Sequence, residues 1–244
     1  MFDVQPPNID WQAILPVIIV CLAGLATLLV EMFRPRQSNE TLVGISLAGL
    51  VLSAISTVAS LNVDPAESFG GMVRGDNFGM AMQLVILIGS FLAILFSEEY
   101  LRAKRIPFGE FYPLVLWSTA GAMIMATTTN LLMLFVGLEV LSISLYVLAG
   151  MSKTESKSEE SALKYFLLGA FASGFLLYGI AFIYGGMGTL HLSDIASSYA
   201  HGSPMAKSLV MFGIALILIG LSFKAALAPF HNGHQTFIRV LQRM

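Results

Sequence analysis

Three ionisable residues, Glu139, Lys164 and Lys224, interrupt stretches of sequence that are otherwise almost entirely apolar. A carboxyl group and two amines can bind and release protons, and their charged forms are costly to hold away from water. Ionisable residues in such surroundings usually pair with one another or mark an ion pathway. The three residues therefore predict proton transfer inside an apolar environment.

The neighbours of these residues favour a hydrated path. Glu139, Ser142 and Tyr146 recur at i, i+3 and i+7, so one face of a predicted helix carries a carboxylate and two hydroxyls. Pro229 lies five residues after Lys224, and a proline inside a helix removes a backbone hydrogen bond. A helix broken by proline beside a buried lysine is typical of an ion pathway.

Structural alternatives exist for two of the three charges. Lys164 lies near the start of a predicted helix, where its long side chain could reach the membrane surface. A Glu139–Lys164 pair could also serve only to hold two helices together. Lys224 has no acidic residue within its own helix, so a purely structural role explains it least well.

Composition identifies the apolar environment. Of 244 residues, 56% are hydrophobic and 11% are charged, whereas about 25% are charged in an average soluble domain. This deficit excludes a soluble globular domain and a disordered chain. A net charge of −2 gives no basic surface of the kind that binds nucleic acid. The single Cys21 excludes a disulfide framework or a cysteine metal site.

Charge-poor segments of about 20 residues can cross a bilayer as helices. The fourth and fifth predicted helices arise from one long segment that turns at Thr127–Asn130. These segments predict an all-α, polytopic transmembrane helical bundle of about seven helices. The segments are Trp11–Val30, Thr41–Val63, Asn77–Ser97, Phe111–Ser152 (two helices), Tyr165–Ser193 and Ala206–Ala228.

Basic residues concentrate on one side of this bundle. Seven of them follow the first, third and fifth helices, namely Arg34, Arg36, Arg102, Lys104, Arg105, Lys153 and Lys157. The opposite side carries only Arg74 and Lys207. The positive-inside rule then places the N-terminus outside. Residues 1–10 contain no Lys or Arg, so the first helix is not expected to be a cleaved signal peptide.

Three segments resemble the antiporter-like membrane subunits of bacterial respiratory complex I, the NADH:quinone oxidoreductase. They are GLEVLSISLYVL from Gly137, SALKYFLLGAFASGFLLY from Ser161 and GLSFKAALAPFH from Gly220. The resemblance implies that Glu139 and Lys164 match the family's glutamate–lysine pair. It likewise assigns Lys224 to the lysine of the broken helix and His231 to the histidine of the PFH motif.

The resemblance implies a proton-translocating subunit that couples quinone reduction elsewhere in the complex to proton transfer. Such a subunit binds no cofactor or metal of its own, because quinone and NADH act at other subunits. Its partners are the other membrane subunits of complex I and the lipid bilayer, in the cell inner (plasma) membrane. Two alternatives are a subunit of a multisubunit cation/proton antiporter and an inactive truncated membrane fragment.

The implied domain organisation has three parts. Residues 1–105 form three N-terminal transmembrane helices, and residues 106–231 form an incomplete first antiporter-like repeat. Together they correspond to the N-terminal half of a fourteen-helix subunit. Residues 232–244 read NGHQTFIRVLQRM, whereas the family continues with a segment close to WTPDVYQGAP.

A missing base would explain this tail. One choice of synonymous codons for residues 232–244, read one base earlier, encodes QWTPDVYQGAPT, which is typical of the N-type branch of the family. We therefore expect a frameshift near the His231 codon and an out-of-frame tail after it. Sequencing the DNA across this codon should reveal a long open frame in the shifted phase, and the hypothesis fails if that frame is closed.

Overall fold

A computed structural model describes residues 9–33, 39–62, 66–103, 109–151, 156–225 and 227. Almost all regular structure in these ranges is helical. The helices are α1 (Trp11–Phe33), α2 (Glu40–Ala59), α3 (Asn77–Ala103), α4 (Phe111–Ala126), α5 (Leu131–Ala149), α6 (Ser156–Met187), α7 (Leu192–His201) and α8 (Pro204–Lys224). Two short antiparallel strands, β1 (Ala66–Ser68) and β2 (Val73–Gly75), form a hairpin between α2 and α3.

The all-α prediction is confirmed, and each of the seven predicted spans corresponds to a helix. Among the described helices, six are long and apolar enough to cross a membrane. The remaining predicted span corresponds to α4, which has 16 residues. The predicted segment Tyr165–Ser193 was too long: α6 ends at Met187, Gly188 adopts a left-handed φ of +70°, and α7 follows as a separate helix. Neither α7 nor the hairpin was predicted.

The described residues form two compact units. The first comprises the described residues up to Arg102 together with Gly109–Leu141, and the second comprises Ala103 together with the described residues from Ser142 onward. In the first unit α1 packs against α2 and α4. Small residues allow these contacts: a Cβ atom on Gly24 would lie 2.6 Å from the Trp117 indole nitrogen.

A proline within α1 is accommodated by hydroxyl groups of α2. Pro16 has no N–H, so the carbonyl of Gln12, four residues earlier, loses its helical donor. The hydroxyl of Ser60, the residue that follows α2, shares its proton between this carbonyl at 3.2 Å and the Ser56 carbonyl at 3.0 Å, and the Ser53 hydroxyl donates to the Pro16 carbonyl over 2.8 Å. Hydroxyls of a neighbouring helix commonly satisfy such carbonyls in membrane proteins. The two helices are therefore joined by polar contacts as well as by packing.

The predicted turn at Thr127–Asn130 is confirmed, and it also anchors the hairpin. The Asn130 side-chain oxygen accepts the backbone N–H of Leu132 over 2.9 Å and so caps the start of α5. The Arg74 backbone N–H donates to the Thr127 carbonyl over 2.7 Å, and the Thr128 hydroxyl donates to the Met72 carbonyl over 2.7 Å. The hairpin is thus held against the end of α4.

In the second unit, α6 and α8 pack antiparallel along a row of small residues. The contacts pair Ala172 with Gly220, Gly179 with Gly213 and Gly186 with Ala206, in steps of seven residues on each helix. A Cβ atom on Gly179 would lie 2.6 Å from the Gly213 carbonyl oxygen. Small residues at a helix interface let two backbones approach closely, which is a common source of helix association in membranes.

This packing predicts that Gly179→Ala destabilises the second unit, because the new methyl group meets the backbone of α8. Overpacking typically lowers the free energy of unfolding by about 1–3 kcal/mol, which thermal unfolding in detergent would detect. Gly174→Ala is the matched control, since a Cβ atom there has nothing within 4 Å. Equal melting temperatures for the two variants would contradict the proposed role of the row.

Candidate functional site

Helix α5 carries Glu139, Ser142 and Tyr146 along one continuous helix, as the sequence predicts. Its position against α4 depends on two glycines. A Cβ atom on Gly121 would lie 2.6 Å from the Gly137 carbonyl oxygen, and one on Gly137 would lie 2.9 Å from that of Gly121. Since both backbones meet here, the segment of α5 that holds Glu139 has little freedom to shift.

Lys224 is the last residue of α8. Beyond it, the Ala225 backbone N–H donates to the Leu221 carbonyl over 2.8 Å, and the Leu227 N–H donates to the Ser222 carbonyl over 2.9 Å. The second bond has the 6→1 pattern of a Schellman helix end. A cation in the last turn is stabilised by the partial negative charge of the helix C-terminus.

The sequence attributed the end of this helix to Pro229, which lies outside the described residues. In the structure α8 ends at Lys224, five residues before Pro229. The lysine therefore occupies a helix terminus, where its side chain can turn toward a neighbouring helix.

Lys224 and Ser142 meet directly. The Lys224 Nζ atom donates to the Ser142 Oγ atom over 3.1 Å, and Ser142 is only 6% exposed. Eighty-two residues separate the two in sequence. The i, i+3 spacing from Glu139 placed Ser142 on the functional face, but no sequence signal identified Lys224 as its partner.

Tyr146 lies one turn beyond Ser142 and is 7% exposed. Its ring makes an edge-to-face contact with Tyr165 of α6, with the centroids 4.8 Å apart and the planes at 89°. The phenol oxygen lies against Gly169, where a Cβ atom would collide with it. The hydroxyl groups of Ser142 and Tyr146 therefore follow one another along α5, and that of Tyr146 lies at the contact with α6.

The remaining predicted site residues occupy different surroundings. Lys164 lies on α6 with an exposed side chain, which is what the snorkelling alternative requires. Glu139 is half-buried on α5. The pairing of Glu139 with Lys164 stays a prediction, and His231 lies outside the described residues. Among the described residues there is no cluster of three or more His, Cys, Asp or Glu side chains able to hold a metal ion.

Six described helices that are long and apolar enough to cross a membrane define a multi-pass membrane protein. A family model described as "NADH:quinone oxidoreductase/Mrp antiporter, TM" matches residues 128–232, which include Glu139, Lys164, Lys224 and His231. The chain belongs to this family of antiporter-like membrane subunits.

Within the family, the similarity is to subunit N. The chain is 41% identical to NADH-quinone oxidoreductase subunit N of Trichlorobacter lovleyi, over 92% of this chain and 46% of that protein. A chain of respiratory complex I from Thermus thermophilus is 33% identical, with a TM-score of 0.72 over 91% of this chain and 46% of its own length.

A more distant relative has the same fold. A chain of the Mrp complex from Dietzia is 21% identical, with a TM-score of 0.68 over 92% of this chain and 43% of that one. The chain therefore spans about half the length of the relatives that it matches.

The contact between Gly169 and Tyr146 yields a prediction about the site. Gly169→Ala should push the phenol out of its place and destabilise the unit by about 1–3 kcal/mol. In a protein where Tyr146→Phe has already removed the phenol oxygen, Gly169→Ala should destabilise the unit less. A double-mutant cycle of unfolding free energies should therefore give a coupling energy of roughly 0.5–3 kcal/mol. Strict additivity of the two substitutions would disprove the contact.

Proposed function

We propose that this protein is a proton-translocating membrane subunit of a bacterial NADH:quinone oxidoreductase, in which buried Glu and Lys side chains transfer protons while quinone is reduced elsewhere in the complex. The hydrogen bond from Lys224 to Ser142 is the observation that carries the proposal. It brings an amine to the buried face of the helix that also holds Glu139, within the segment that the family model matches.

The chemistry needed is proton exchange alone. Removing an ammonium group from water favours its neutral form, whereas a carboxylate nearby favours the charged form. A protein that changes the separation between a carboxylate and an amine can therefore make the amine release or bind a proton. The roles proposed here are those of an acid–base series formed by Glu139, Lys164, Lys224 and His231.

In this proposal the chain supplies no redox group. NADH and quinone act at other subunits, and this chain contributes the proton route. The catalytic activity therefore belongs to the assembled translocase, in which this chain is a subunit and not the redox enzyme itself.

Extensive apolar helix faces support assembly in a membrane. Only 22–39% of each span is buried within the chain, and large side chains such as Phe96 and Phe171 are each 71% exposed. Lipid and the other membrane subunits are the proposed cover for these faces. The excess of basic residues after α1, α3 and α5 supports an inner-membrane orientation with the N-terminus outside.

The main alternative is a subunit of a multisubunit cation/proton antiporter. The Mrp relative shares the fold, but its 21% identity is well below the 41% identity to subunit N. The identity favours the oxidoreductase. A second alternative, an inactive membrane fragment, predicts a chain that does not join a working complex.

The proposal is tested by Lys224→Ala and Glu139→Gln in membrane vesicles that contain the chain assembled with the other oxidoreductase subunits. Each change removes a proton-binding group, so NADH-driven acidification should fall about tenfold, equivalent to a barrier increase of about 1.4 kcal/mol. A pH-sensitive dye measures the acidification, and NADH–quinone reductase activity is recorded in parallel.

Lys207→Ala serves as the control, because this half-buried lysine lies near the other end of α8 and contacts the Tyr199 ring. Lys164→Ala should have a milder effect than Lys224→Ala. Undiminished acidification in Lys224→Ala would remove that lysine from the route. A parent chain absent from the purified complex would favour the inactive fragment.

A further inference from the structure

We propose that a cavity at one end of the first unit binds a membrane phospholipid whose zwitterionic headgroup ends in a primary ammonium, as in phosphatidylethanolamine. The cavity has a volume of about 370 Å³ and lies where the hairpin, the start of α3 and the end of α4 meet. None of the described residues that line it belongs to the proposed proton route. The inference therefore goes beyond the proposed function and does not depend on it.

The cavity lies at the boundary of a membrane span. Helix α3 is long and apolar enough to cross a bilayer from Asn77 onward, and the lining residues Arg74 and Asp76 immediately precede it. Phe78 and Met82 lie one turn apart on α3 and are 74% and 40% exposed. The lining thus changes from charged to apolar where the span begins. A phospholipid has the same order, with its headgroup outside the hydrocarbon layer and its acyl chains within it.

Close packing of α3 on α4 holds the two sides of the cavity together. A Cβ atom on Gly79 would lie 3.0 Å from the Ala126 carbonyl oxygen and 3.1 Å from the Thr127 Cγ2 atom. Met125, in the last turn of α4, adds to the apolar side of the cavity. Since the helix backbones already meet here, a ligand does not have to bring the two sides together, and a site formed in advance binds at a lower entropic cost.

Backbone hydrogen bonds position the two charged side chains. Strand pairing in the hairpin and the bond from the Arg74 N–H to the Thr127 carbonyl, 2.7 Å long, hold the backbone of Arg74. The Asp76 Oδ1 atom accepts the Gly79 backbone N–H over 2.7 Å and so caps the start of α3. This cap orients the carboxylate, whose Oδ2 atom is the one nearer to Arg74.

The separation of the two charges suits a zwitterionic ligand. The Arg74 Nε and Asp76 Oδ2 atoms are 4.0 Å apart, whereas a charge-assisted hydrogen bond between such groups measures about 2.7–2.9 Å. Both side chains therefore keep the capacity for a shorter bond to a ligand. A guanidinium binds phosphate through paired N–H donors, and a carboxylate accepts hydrogen bonds from an ammonium.

Headgroups differ in how they match this pair. Phosphoethanolamine carries a phosphate for Arg74 and an ammonium for Asp76, so both charges are satisfied. A purely anionic headgroup meets the guanidinium but is repelled by the carboxylate. A choline headgroup has a positive charge without N–H donors, so it cannot form a hydrogen bond to Asp76. The cavity therefore favours phosphatidylethanolamine over phosphatidylglycerol and phosphatidylcholine.

Photolabelling of the purified chain in lipid nanodiscs tests this preference. The probe is a trace of phosphatidylethanolamine that carries a diazirine on an acyl chain, and mass spectrometry locates its adducts. Labelling at Phe78, Met82 and Met125 is divided by labelling at Phe171 of α6, an exposed side chain that serves as the reference. This ratio should be about tenfold higher in nanodiscs of phosphatidylglycerol or phosphatidylcholine than in nanodiscs of phosphatidylethanolamine, which competes with the probe. Tenfold selectivity corresponds to about 1.4 kcal/mol, and equal ratios in the three lipids would overturn the inference.

Substitutions of the charged pair should abolish this selectivity. Arg74→Gln removes the partner of the phosphate, and Asp76→Asn removes the charge that attracts the ammonium. Asp76→Asn keeps a side-chain oxygen for the Gly79 N–H, so the helix cap is retained. Glu67→Gln is the matched control, because Glu67 lies opposite Arg74 in the hairpin but does not line the cavity. Loss of selectivity in Glu67→Gln as well would overturn the inference, since the net charge of the hairpin would then explain the preference.

Two further measurements distinguish a lipid from other occupants. Excess inorganic phosphate should leave the labelling ratio unchanged, because it gains nothing from the apolar side of the cavity. Displacement of the probe by phosphate would instead indicate a site for soluble anions. In intact cell membranes, where the chain has its natural partners, the probe should label the same residues of α3 and α4. Loss of this labelling in membranes would overturn the inference, because a partner protein would then cover the cavity.

Discussion

The structure of this protein depends on one constraint, which is that polar groups in an apolar layer must find partners within the protein. Helices satisfy their own backbone groups, and 83% of the residues that the structure describes are helical. Where a helix fails to do so, another helix completes the bonding. Ser53 of α2 donates to the Pro16 carbonyl of α1 over 2.8 Å in a buried contact. The same requirement governs Lys224, which finds its partner in a hydroxyl of α5.

Close packing determines which partners can meet. Without a strong hydrophobic drive between helices in lipid, van der Waals contact between backbones becomes important. Gly121 and Gly137 bring α4 against α5, and Gly179 and Gly213 bring α6 against α8. These contacts involve no charged side chain, yet they restrain how α5 lies against α4 and how α8 lies against α6. Small residues thus contribute to the site without touching it.

The site combines features that oppose one another. A proton-transferring lysine needs limited access to water so that its charge can be changed by its surroundings, and it also needs a partner so that it stays folded in place. The family to which the chain belongs is described by both NADH:quinone oxidoreductase and Mrp antiporter members.

The amino-acid sequence by itself determined the fold class, the seven spans, the turn at Thr127–Asn130 and the ionisable residues that carry the functional argument. Hydropathy and helical period are local properties, so they can be read along the chain. Sequence could not determine that α8 ends at Lys224, that α7 is a separate helix or that Ser142 receives the lysine amine. These features depend on the relative depth and rotation of helices, which are set by packing between residues far apart in the chain. A contact across 82 residues is therefore a property of the tertiary structure alone.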